Sequence, residues 1–89
     1  MSDVQMKFAD IGARVRKART DAGITSLEKF AEQIASTSSQ RPSVAKLSRI
    51  EAGVQPVPLD VLEPVARITG IPVRELRPDL AVLMNEAAE

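Results

Sequence analysis

Lys46 and Arg49 stand three residues apart in the segment SVAKLSRIEAG, residues 43–53, behind the small side chains Ser43, Val44 and Ala45. Arginine presents a planar fork that fits guanine O6 and N7, whereas lysine is a point charge suited as well to a phosphate. Small residues beside them let a helix approach phosphates and base edges that bulky or acidic side chains would hold off. Val44 or Ala45 offers a methyl group to thymine. Val44 lies three residues before Leu47, so it is read equally as a core position. The chemistry within reach of this segment is non-covalent recognition. The chain has no cysteine and no histidine, which removes disulfides, thiolate and imidazole metal ligands, and histidine acid–base catalysis. Asp60 and Glu63 share a helical face, but no glycine-rich phosphate loop or basic partner stands beside them, and they read as solvated charge. The expectation is a non-enzymatic chain with no catalytic residue, no metal and no cofactor.

For Lys46 and Arg49 to look outward, Leu47 and Ile50 must look inward, which their spacing of three allows on a helix over about residues 43–52, stopped by Gly53. Before it, LEKFAEQIA sets Leu27, Phe30, Ala31 and Ile34 at i, i+3, i+4 and i+7 behind Ser26 as a cap, predicting a helix over about 27–35. Phe8, Ile11, Val15, Ala18 and Ala22 form the inner stripe of an earlier helix that Gly23 ends. VQPVP is an extended connector. A fourth helix covers about 59–69 with Leu62, Val65 and Ala66 inward; Pro64 inside it either kinks the helix or delays its start. A fifth begins after Pro72 and uses Val73 and Leu76. No strand pattern competes, so the expected fold is all-α, one domain over residues 1–80 with a tail over 81–89.

With 89 residues, a single core buries only about 60 to 65% of the unfolded surface, so stability leans on a partner subunit. Leu80, Leu83 and Met84, with Ala81 and Ala87 near them, offer an apolar face. It is either a last helix folded onto its own core or a dimer contact. No apolar run of about 18 residues exists, and MSDVQMKFAD has neither a long apolar core nor a basic leader; no membrane partner and a cytoplasmic setting are expected. Net charge is zero, yet residues 7–49 carry nine bases against four acids, whereas residues 50–89 carry three bases against seven acids. That asymmetry permits phosphate contacts on one side of the molecule.

Four stretches in order, IGARVRKAR before Gly23, KFA with Ala31 at a tight helix crossing, LSRIEAG, and PVARITGIPVRELRPDL, carry a resemblance. Over residues 8–80 the chain resembles the helix-turn-helix family of the Cro and lambda-type repressors, also called the xenobiotic-response-element family. Its ITGIP and LRPDL segments resemble the small prophage-type regulators of that fold. The resemblance implies a five-helix, lambda-repressor-like domain and a sequence-specific DNA-binding regulator of transcription, a repressor, that reads the major groove with residues 43–52. Double-stranded DNA is the implied partner and a homodimer the implied state, with two reading helices roughly 34 Å apart. Ser26 and Leu27 match the start of the second helix, whose N–H groups meet a phosphate, and Gln55 beyond Gly53 matches a backbone contact. Arg19 and Glu51 fall where the family forms a buried ion pair; the other reading leaves both as solvated charge. Arg14, Arg16 and Lys17 read as a solvated face or peripheral phosphate contacts.

The chain departs from the family twice. One extra residue lies in 24–26, and about six lie within 36–41, where ASTSSQRPS replaces the short glycine-containing turn. Either this segment is a solvated linker, or its polar residues, Gln40 and Arg41 foremost, track a phosphate backbone. Pro42 suits the first position of the next helix, and Ser43 suits its cap. The alternative function is that of an antitoxin or adaptor that acts by binding a partner protein through the C-terminal apolar face.

Overall fold

In the computed structural model, which describes the backbone of residues 3–80 and side-chain environments from Phe8 onward, five helices follow one another: α1 Asp3–Asp21, α2 Leu27–Ser38, α3 Val44–Glu51, α4 Leu59–Thr69 and α5 Val73–Leu76. Residues 78–80 are helical as well, and no strand occurs among the described residues. Two serines start the central pair. The Ser26 hydroxyl accepts from the Lys29 N–H and the Ser43 hydroxyl from the Lys46 N–H, both at 3.1 Å. Each occupies one of the N–H groups that a helix start leaves without a partner. Ser43 is therefore the cap of α3, and Pro42 is a buried residue of the preceding connector.

The segment between α2 and α3 differs from the sequence expectation. α2 runs on to Ser38, three residues past the expected end at Ala35, which leaves residues 39–43 as the connector. The sequence allows a solvated linker from Ser36 onward. Instead the Ser36 and Thr37 hydroxyls donate to the Gln33 carbonyl at 2.9 and 3.1 Å, and Ser38 donates to the Ile34 carbonyl at 3.0 Å. Bonded back onto the helix, these side chains stop competing for its backbone. Ser39, in a left-handed conformation at φ 66°, ends α2.

Every helix contributes to one core. Val15, Phe30, Ile34, Leu47, Val61, Val65 and Leu76 are almost fully buried, each large side chain stabilising the fold by about 1.5–3 kcal/mol. α2 packs on both α3 and α4, α1 on α3 and α4, and α4 on α5. Pro64 sits inside α4 and is buried, so its ring fills core volume while the Asp60 carbonyl goes without the helical bond a proline cannot donate. The helix neither breaks there nor starts late. Ala22, expected on the inner stripe, is exposed, because the chain has already turned out of α1. Leu80 is half-buried and packs against this same core.

Two glycines set how closely α1 approaches α3. A Cβ on Gly12 would lie 2.5 Å from the carbonyl oxygens of both Ile50 and Glu51, so the two backbones touch. Gly53 has φ 75°, and a Cβ there would run into the Ala9 Cα. At the other end of the fold, Arg77 donates to the Val57 carbonyl at 2.7 Å and grips Asp79 at 2.9 and 3.1 Å. That hydrogen-bonded guanidinium holds the Asp79 carboxyl below its ordinary pKa. No helix among the described residues is long and apolar enough to cross a membrane.

Candidate nucleic-acid interface

α3 divides cleanly into two faces. Leu47 and Ile50 are 1% and 2% exposed, whereas Ser43, Val44, Ala45, Ser48 and Arg49 are all exposed. Val44, at 37% exposure, is outside the core. It is the first residue of α3, at the end of the helix and one turn before the buried Leu47.

The two cations of this face have different partners. Lys46 Nζ lies 3.4 Å from Asp60 Oδ2 in the first turn of α4, the side chains being 30% and 47% exposed. Arg49 Nε donates to Gln55 Oε1 at 2.9 Å, and its two Nη groups make no hydrogen bond among the described residues. Lys46 thus meets a negative charge and Arg49 a neutral acceptor.

Behind α3, Arg19 and Glu51 form a bidentate pair. Arg19 Nε and Nη2 donate to the two carboxylate oxygens at 2.7 and 3.1 Å, Nη1 donates to the Ile24 carbonyl at 2.8 Å, and both side chains are only 8% exposed. The guanidinium ties the end of α1, the turn after it and the last turn of α3 together. With every nitrogen of its fork engaged, Arg19 is committed to the fold.

The start of α2 adjoins the outer side of α3. A shallow cleft of about 290 Å³ is lined by Arg16, Leu27, Ser48 and Ala52 together with Arg19 and Glu51. Leu27 packs its side chain against the core and, as the first residue of α2, carries a backbone N–H without an intrahelical partner. Ser26 is occupied as a cap. Arg16, exposed on α1, shares the cleft with Ser48. Ser48 was not singled out in the sequence, although its offsets of three and four from Ala45 and Val44 place it on the same helical face.

Gln40 and Arg41 are exposed in the connector just before α3, at the end opposite Arg49 and Gln55. Arg41 makes no ion pair among the described residues, as is also true of Arg16, Lys29 and Arg49. The charge separation along the chain is partly undone in space. Glu75 of α5 reaches Arg14 at 2.9 Å, Asp60 reaches Lys46 and Glu51 holds Arg19, so the acidic half caps three cations of the basic half. Leu80, half-buried, packs against its own core, and Leu83 and Met84 lie outside the described residues. Among the described residues no cluster of histidine, cysteine, aspartate or glutamate is arranged to hold a metal. What the α3 face can supply is hydrogen-bond donors, positive charge and small apolar contacts. In comparisons with known proteins, no family model matches the chain, and no curated protein or solved structure matches it either.

Proposed function

We propose that this chain is a sequence-specific, non-enzymatic DNA-binding regulator of transcription, acting as a repressor. In this reading α2 and α3 form a lambda-repressor-type helix-turn-helix, and α3 lies in the major groove. The observation that carries the reading is the free outer face of α3. Its small side chains leave room for approach, Arg49 stands exposed with its terminal donors open, and the face continues through a cleft to the start of α2. A major groove about 12 Å wide admits a helix about 10–12 Å across. Arg49 then meets a base edge, Lys46 meets a phosphate or a base, and the first N–H groups of α2 with Arg16 meet the backbone. A homodimer would set two copies of α3 on half-sites roughly 34 Å apart.

The test is binding to the DNA flanking the chain's own gene, titrated with salt, beside a scrambled fragment of equal length. The expected result is tight binding to the native fragment that weakens steeply as salt rises. Combined replacement Lys46→Ala and Arg49→Ala should lose at least the ~1–3 kcal/mol that one good base contact supplies. Equal, weak binding to both fragments overturns the proposal.

A further inference from the structure

We propose that Gln55 is a positioning residue for recognition: it holds the Arg49 guanidinium by Nε so that the Nη1–Nη2 end is presented to guanine. This inference rests on the reading of α3 as the groove-reading helix. The placement of Gln55 is built into the helix end. Gly53, left-handed at φ 75°, closes α3 with two bonds, its own N–H to the Ile50 carbonyl at 3.1 Å and the Val54 N–H to the Arg49 carbonyl at 3.0 Å. The turn cannot drift, because Gly53 lies against Ala9 of α1. Pro56 follows and biases Gln55 towards an extended backbone. Residue 55 is thereby returned alongside the side chain of residue 49, and the 2.9 Å bond follows from that fixed turn.

Two consequences come from the chemistry of the bond. Arginine offers a guanine either its side, through Nε and one Nη, or its end, through Nη1 and Nη2. With Nε taken by Gln55 Oε1, only the end remains. Because the amide acceptor is neutral, the guanidinium keeps its full charge for the groove, unlike Lys46 beside Asp60. An exposed arginine loses rotamer entropy when it is fixed, and anchoring Nε removes part of that loss before DNA arrives.

The experiment measures binding of the full chain to its bound fragment and to variants of it changed at each base pair, for wild type, Gln55→Met, Gln55→Glu, Arg49→Ala and the double replacement Gln55→Met with Arg49→Ala. Methionine keeps the length of Gln55 without an acceptor, and glutamate keeps the acceptor. Gln55→Met is expected to lower discrimination about threefold to tenfold at the one G·C pair that Arg49→Ala also relaxes. The salt slope should stay unchanged, and Gln55→Glu should restore the discrimination ratio. The double replacement should match Arg49→Ala alone. A uniform loss across all sequences with a shallower salt slope would make Gln55 a phosphate contact and overturn the inference. Preference that survives Gln55→Met removes this inference alone, whereas a wild-type chain without sequence preference removes the reading of α3 as well.

Discussion

Arg19 and Arg49 occupy the same place in two helices and do opposite things. Each lies three residues before the final capping residue of a helix closed by a left-handed glycine, Gly23 for α1 and Gly53 for α3. In each case the N–H beyond the glycine returns to the arginine's own carbonyl, from Ile24 at 3.1 Å and from Val54 at 3.0 Å. Each guanidinium then reaches forward past the turn, Arg19 to the Ile24 carbonyl and Arg49 to the Gln55 side chain. The difference lies in what else is near. Arg19 points under α3, where Glu51 completes its coordination away from water. Arg49 points out of α3 and, among the described residues, has one of its three nitrogens engaged. One local device therefore yields a structural lock where a carboxylate closes the fork, and a presented donor where an amide leaves it open.

The comparison breaks most visibly at Glu51. Glu51→Ala leaves the Arg19 charge buried without its counter-ion and should cost about 3–5 kcal/mol, read as a fall in the urea midpoint at unchanged m-value. The double replacement Arg19→Met with Glu51→Leu removes both charges and should recover most of that loss. At the exposed counterpart, Arg49→Ala should change stability by no more than ~0.5 kcal/mol. Equal losses from Glu51→Ala and Arg49→Ala would erase the distinction between lock and presented donor.

Gly12 tests what keeps the lock in register. An alanine Cβ would press on the Ile50 and Glu51 carbonyl oxygens, which are backbone atoms and cannot rotate away. Overpacking of this kind costs about 1–3 kcal/mol, against about 1 kcal/mol gained from the better helix propensity of alanine. Gly12→Ala should accordingly be destabilising on balance in thermal melts, and by less than Glu51→Ala. A variant more stable than wild type would mean that α1 and α3 separate readily.

These two sites were legible to different degrees. α4 and α5 could be read almost residue by residue, because an apolar stripe and a proline at each start are local signals that survive packing. The Arg19–Glu51 pair entered through likeness to a family, since nothing local links residues 32 positions apart. Gly12 carried no signal at all: its role is a backbone contact between two helices, and a glycine inside a helix says only that something approaches. The end of α2 was misread for a physical reason, namely that serine and threonine hydroxyls serve a turn or a helix equally well and the choice depends on which carbonyls lie within reach. On the α3 face, the residue types were legible but their partners were not. Gln55 meets Arg49 through the turn at Gly53, and Asp60 meets Lys46 only once α4 has packed.

Asp60 gives the finest test of how the α3 face is divided. Its pair with Lys46 is partly solvated and worth about 0–1 kcal/mol. As an acid in the first turn of α4 it adds a few tenths of a kcal/mol from the helix dipole. Asp60→Asn should consequently leave folding nearly unchanged. On DNA the same replacement removes a negative charge beside the groove and releases Lys46, so affinity should rise about threefold to fivefold at low salt, the scale of one solvated charge contact. If Lys46 meets a phosphate, the rise applies equally to native and scrambled fragments, and the salt slope steepens by about one. A rise confined to the native fragment would instead give Lys46 a base edge to read. Both cations of α3 would then carry sequence information, and the neutral partner of Arg49 would no longer mark which of the two does the reading.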